Sequence, residues 1–251
     1  MFTGNPFASL TGVLPPLFMQ VYIVVMVAAV ALGTLLDTYH KGSAKFFAQR
    51  KKQTKAAARI QLSAAQTASL AAKTIGEAAV SGEFCKWQRR TSHLLMMYGF
   101  LIYVITTVVM VFGYAGAPSP ALLPALWDVG ALMIVVGGLW FFFFLRVNVA
   151  YDGDSPVHIG RADLFVLSLI GSAAFALLWH ALQMASPNQA LTLFVFAIYL
   201  GFTTLLFGSV FWSKFAHMFY KPVVAFQRRV EEANGSTDLP TPVRHHSGRS
   251  A

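Results

Sequence analysis

Residues 92–100 are Ser92-His93-Leu94-Leu95-Met96-Met97-Tyr98-Gly99-Phe100, the start of an apolar stretch that continues to about residue 114. A bilayer core about 30 Å thick is crossed by roughly 20 helical residues, which is the length of this stretch. Of all 251 residues, 56% are hydrophobic and only 12% are charged, a composition typical of membrane proteins. The sequence therefore predicts an all-α, polytopic membrane protein.

Five stretches of this kind occur along the chain, so we expect a bundle of five transmembrane helices. Turn-forming or charged residues separate the stretches, as at 115–120 and 186–188. The predicted spans cover about residues 15–36, 93–114, 122–145, 162–184 and 191–212. This divides the chain into a first transmembrane helix at 1–40, a basic loop at 41–92, a four-helix membrane core at 93–222 and a largely disordered tail at 223–251.

Basic residues are distributed unevenly between the two sides of this predicted bundle. Segment 41–92 carries eleven lysines and arginines against Glu77 and Glu83, whereas 1–20, 115–121 and 185–190 carry none. By the positive-inside rule, the N-terminus is outside and the basic loop and the tail are cytoplasmic. Topology also accounts for the net charge of +9, so we expect no nucleic-acid partner. The proline-free part 44–80 predicts one or two surface helices, suited to lie against lipid or a partner protein.

Two histidines at the ends of predicted spans form the first candidate site. His93 opens the second span, and His217 follows the fifth within Ser213-Lys214-Phe215-Ala216-His217-Met218-Phe219-Tyr220. The topology places both at the cytoplasmic side, where they could be the axial ligands of one b-type heme iron between facing helices. The alternative is that each is an interfacial histidine that anchors a helix end.

The fourth span contains the second candidate, His180, toward the outer face. It could bind a quinone carbonyl, hold a second heme or join helices, and we favour the quinone because no other span offers a histidine at that depth. Asp128 begins the third span near the same face, where it could interact with the helix N-terminus or accept a proton from an oxidised quinol. The single cysteine, Cys85, excludes a self-contained iron–sulfur cluster.

The stretches 92–100 and 213–218, together with Arg161-Ala162-Asp163-Leu164-Phe165, resemble the five-helix membrane cytochrome b family typified by respiratory nitrate reductase gamma. Within it the chain is most similar to the membrane part of the quinone-interacting membrane-bound oxidoreductase and to the membrane anchor of adenylylsulfate reductase. The resemblance covers residues 83–222. It implies electron transfer between a membrane quinone and a cytoplasmic iron–sulfur flavoprotein of sulfur metabolism, which would dock on the basic loop.

The resemblance also bears on the number of hemes. Members of the nitrate reductase type hold two hemes between the second and fifth helices, with histidines eighteen positions before the last ligand and ten positions after the first. In this chain those positions are Tyr199, from 217 − 18, and Tyr103, from 93 + 10. The expectation is therefore one heme, in a multi-pass subunit of a bacterial or archaeal cytoplasmic membrane whose substrate chemistry belongs to the partner. The alternative is a heme-free anchor that only tethers the soluble reductase.

Overall fold

The computed structural model describes residues 4–40, 43–82, 84, 86–146, 163–185, 188–210 and 217–237, and gives only the backbone of 43, 44 and 217–219. These residues contain helices and no strand. The helices are α1 (Pro16–His40), α2 (Ser43–Ala56), α3 (Ala64–Ala79), α4 (Trp87–Val108), α5 (Leu122–Trp140), α6 (Leu164–Ala185), α7 (Gln189–Gly208) and α8 (His217–Asn234). Single π-helical turns extend α4 to Gly113 and α5 to Leu145.

Five of these helices are long and apolar enough to cross a membrane, which confirms the predicted five-helix class. They are α1, α4 and α5 with their π-helical turns, α6 and α7. The second span begins earlier than expected, at Trp87 instead of residue 93. Its helix with the π turn is 27 residues long, so it exceeds the bilayer core and extends its first turns into the interface.

The four spans α4 to α7 form the core, and consecutive spans pack against each other. The backbones of α4 and α7 stay farther apart and meet through large side chains such as Phe100 and Phe207, whose ring centroids are 6.2 Å apart. Helix α1 lies at the edge against α7, where the Tyr22 hydroxyl donates to the Leu200 carbonyl at 3.1 Å. The bundle therefore follows chain order, with the second and fifth spans facing each other through side chains.

Glycines allow the closest approach in the core, between α4 and α5. The carbonyl oxygen of Gly130 lies 2.8 Å from where a Cβ of Gly99 would stand, and the Gly99 carbonyl oxygen lies 2.9 Å from the corresponding position at Gly130. Small residues at such crossings let helix backbones touch in membranes, where packing replaces the hydrophobic effect as the driving force. This contact fixes the position of α4 relative to α5.

The basic loop and the tail together form a helical layer outside the spans. Helices α2 and α3 confirm the one or two helices expected in 44–80. Helix α8 runs from His217 to Asn234, so the boundary placed at 222/223 falls inside a helix and residues 223–234 are not disordered. One face of α8 packs on α3, and another is bound to α2 through polar side chains. The expected disorder of 238–251 lies outside the described residues.

Candidate functional site

His93 lies in the second turn of α4 and contacts the connection from α3. Its Nδ1 is hydrogen-bonded to Ser81 Oγ at 2.8 Å, and its ring lies 5.1 Å from that of Phe84. Ser81 is buried and has a φ of +50°, a left-handed conformation that usually requires glycine where a helix ends. Residues in strained backbone conformations cluster at functional sites. A histidine that binds a metal through one ring nitrogen usually donates a hydrogen bond from the other, which fixes the direction of the ring.

One contact joins α4 to α7, and a second brings the first turns of α8 toward His93. Phe100 lies seven residues after His93 on the same face of α4 and contacts Phe207 of α7, the span that precedes His217 in the chain. The Lys221 ammonium lies 5.4 Å from the centre of the Phe84 ring, which is the ring that contacts His93. Lys221 is one helical turn after His217. The side chain of His217 lies outside the described part of the chain, so the expected pairing of the two imidazoles stays a prediction.

Tyr103 of α4 and Tyr199 of α7 stand at the positions where the resemblance places a second pair of heme ligands. Both are buried and belong to the same hydrophobic core cluster. Tyr103 stacks on Trp127 with a centroid distance of 5.3 Å, and Tyr199 stacks on Trp179 at 5.8 Å. The phenol and indole rings are therefore packed against one another at this depth. The expected number of hemes stays a prediction.

His180 and Asp128, which the sequence placed on separate spans, form a pair inside the bundle. His180 Nδ1 and Asp128 Oδ1 are hydrogen-bonded at 2.9 Å, and the His180 side chain is only 1% exposed. Asp128 is the seventh residue of α5, too far from its N-terminus for the helix-dipole role. Its Oδ2 is buried and has no hydrogen-bond partner among the described residues. The signal in the sequence was that both polar residues lie near the outer ends of neighbouring spans.

A short N-terminal segment covers this pair, a feature that the sequence analysis missed. The Phe7 ring packs against Trp127 at 5.8 Å and against Trp179 at 5.5 Å. The Asn5 amide donates to the backbone carbonyls of Tyr114 and Ala117, at the loop between α4 and α5. Hydrogen bonding and aromatic packing therefore close the outer end of the bundle above His180. No motif marks this segment beyond its lack of charge.

A polar cluster between α2 and α8 was also not foreseen. Arg50 binds both carboxylate oxygens of Glu231, at 2.6 and 2.7 Å, and Thr54 and Gln227 donate to Oε1 at 3.0 Å. The Arg50 guanidinium lowers the pKa of Glu231 to about 2, with further lowering by the Gln227 and Thr54 hydrogen bonds. The cluster connects α2 to α8, in addition to the packing of α3 on α8.

Fold and site together define a multi-pass α-helical membrane protein with a helical layer beyond one end of its spans and buried polar groups toward the other end. No protein-family model matches the chain, and no curated protein or solved structure is significantly similar to it.

Proposed function

We propose that this chain carries electrons between the membrane quinone pool and a cytoplasmic redox enzyme, through one b-type heme ligated by His93 and His217. The resemblance points to adenylylsulfate reductase, an iron–sulfur flavoprotein of sulfur metabolism, as the partner. The assignment to a bacterial or archaeal cytoplasmic membrane is part of the same proposal.

The observation that carries the proposal is the orientation of His93 by Ser81. A buried residue in a left-handed conformation presents its hydroxyl to Nδ1, so the direction of the imidazole ring is set before any ligand binds. The Phe84 ring lies between His93 and Lys221 and so connects the candidate site to the first turns of α8. Phe100 of α4 contacts Phe207 of α7, so the two spans proposed to flank the heme face each other.

A b-type heme would supply one-electron redox chemistry at this place. The task of the chain is to hold the two imidazoles, to surround them with aromatic side chains and to keep Ser81 in place. His180 is assigned to the quinone, because no other span offers a histidine at that depth to pair with it as a heme ligand. Its hydrogen bond with Asp128 orients the imidazole and puts a buried carboxylate beside it that could accept a proton.

The test is an absorption spectrum of the purified full-length protein expressed with heme available. Wild type should show a b-type spectrum that changes on reduction, and His93→Ala should lose it. His40→Ala is the matched control, because His40 ends α1 at the same side of the bundle and is not part of the proposed pair. Ser81→Ala should keep heme but alter its reduction potential. Absence of a b-type spectrum in wild type, or its persistence in His93→Ala, would refute the redox function.

The second candidate is a heme-free anchor that tethers the reductase. The observation in its favour is the cytoplasmic layer itself, in which α2 is bound to α8 by the Arg50–Glu231 ion pair. If the chain is such an anchor, replacing residues 43–82 by a flexible linker should release the partner from membranes. The wild-type protein should then show no heme spectrum.

A further inference from the structure

Helix α2 carries its lysines on one side. At 100° per residue, Lys45, Lys51, Lys52 and Lys55 fall within an arc of about 120°. All four are exposed. The opposite side of the helix holds Arg50 and Thr54, the residues bound to α8. The lysine face of α2, defined as these four residues, is therefore directed away from the rest of the cytoplasmic layer.

The arginines of the layer are largely neutralised by acids, but the lysine face is not. Arg50 pairs with Glu231, Arg229 with Glu77, and Arg228 with Glu232. Within the described ranges, none of the four lysines has a carboxylate within ion-pair distance. Four like charges gathered on one helix side repel each other, so they favour an external partner that supplies negative charge.

The composition of α2 favours a protein partner over a lipid surface. A helix that lies in the bilayer interface buries an apolar stripe and keeps its basic residues beside it. In α2 the side opposite the lysines is bound to α8 through Arg50 and Thr54, and it also carries the two phenylalanines of the helix. Of its two phenylalanines only Phe46 is strongly exposed, at 62%. The lysine face thus presents charge without the apolar area that would bind it to acyl chains.

We propose that the lysine face of α2 is the docking surface for an acidic patch on the soluble redox partner, and that the C-terminal helix α8 holds this face in position. The inference rests on the proposed function and narrows the docking site from the whole basic loop to one side of one helix. The Glu231 carboxylate is the positioning group, because it joins α8 to Arg50 and Thr54 of α2.

The test uses the full-length protein in nanodiscs of neutral phosphatidylcholine, with purified adenylylsulfate reductase as the probe. Lys51→Glu/Lys55→Glu should raise the dissociation constant roughly tenfold or more at low ionic strength, with a smaller effect in high salt. Lys73→Glu/Lys86→Glu is the matched control, because it changes the net charge equally at exposed lysines outside α2. Its affinity should remain that of wild type.

Three results would overturn the inference: no binding of the reductase to wild type, equal losses in both double variants, or a loss seen only in nanodiscs with phosphatidylglycerol. The last result would assign the face to anionic lipid. The heme spectrum, recorded on the same samples, separates this inference from the proposed redox function. If the protein binds no heme but Lys51→Glu/Lys55→Glu still weakens binding of the reductase, the redox function is refuted and the docking surface is kept. If the heme spectrum is intact but this variant binds the reductase as wild type does, only the docking surface is refuted.

Discussion

Replacing Gly130 by alanine tests whether direct backbone contact sets the position of α4. The added Cβ would stand 2.9 Å from both the Gly99 carbonyl oxygen and the Tyr103 nitrogen, against about 3.4 Å for ordinary contact. The two helices would have to separate by about 0.5 Å, from 3.4 − 2.9. Overpacking of this kind costs about 1–3 kcal/mol, and the better helix propensity of alanine offsets up to about 1 kcal/mol of it. We expect a net loss of about 1–2 kcal/mol.

Gly201→Ala in α7 is the matched control, because no atom lies within 4 Å of the Cβ it would add. The same change of residue should stabilise the protein there by about 0.5–1 kcal/mol through helix propensity alone. Unfolding in mixed detergent and dodecyl sulfate micelles, followed by tryptophan fluorescence, to which the buried Trp127 and Trp179 contribute, measures the free energy of unfolding of each variant. If Gly130→Ala were as stable as Gly201→Ala, the close helix contact would not be the determinant that we infer.

Two further perturbations test the polar clusters. Because Arg50 depresses the pKa of Glu231 from 4.5 to about 2, this carboxylate stabilises the cytoplasmic layer above pH 4.5, and the stabilisation disappears as the pH falls toward 2. Glu231→Gln should lower the free energy of unfolding by up to about 3 kcal/mol at pH 7 and make thermal stability less dependent on pH. The control Glu232→Gln removes an exposed ion pair, so it should change neither the stability nor its pH dependence. In the bundle, Asp128→Ala removes the acceptor of the His180 Nδ1 hydrogen bond and should lower the free energy of unfolding by about 1–3 kcal/mol in the same micelle assay. Asp128→Asn keeps an acceptor oxygen and should lower it less. If Asp128→Asn were the more destabilising variant, the hydrogen bond would not be structural.

The five spans could be predicted from the sequence because the signal is local. A run of about 20 apolar residues must form a helix in a bilayer, where no water is present to bind the backbone polar groups. The same holds for α3, whose Ser63 and Gln66 form a capping box within four residues of one another. The heme and quinone assignments of His93, His217 and His180 remain predictions.

The start of α4 and the course of the tail could not be predicted in this way. Trp87 to Ser92 are polar or basic, so hydropathy alone placed the span at His93, although the helix begins six residues earlier. Residues 223–234 contain paired charges typical of a solvated segment. They are helical because their polar face binds α2 and another face packs on α3. Such contacts join residues 152 to 181 positions apart, and local patterns do not encode them.

The sequence alone determined that the chain is helical and how many spans it has, because hydropathy acts through the bilayer and needs no partner residue. Tertiary structure decided which polar groups meet: His180 with Asp128, Ser81 with His93, and Glu231 with Arg50. Each of these pairs depends on the packing of separate helices, and in the core that packing is set by glycine contacts a few tenths of an ångström closer than an alanine would permit.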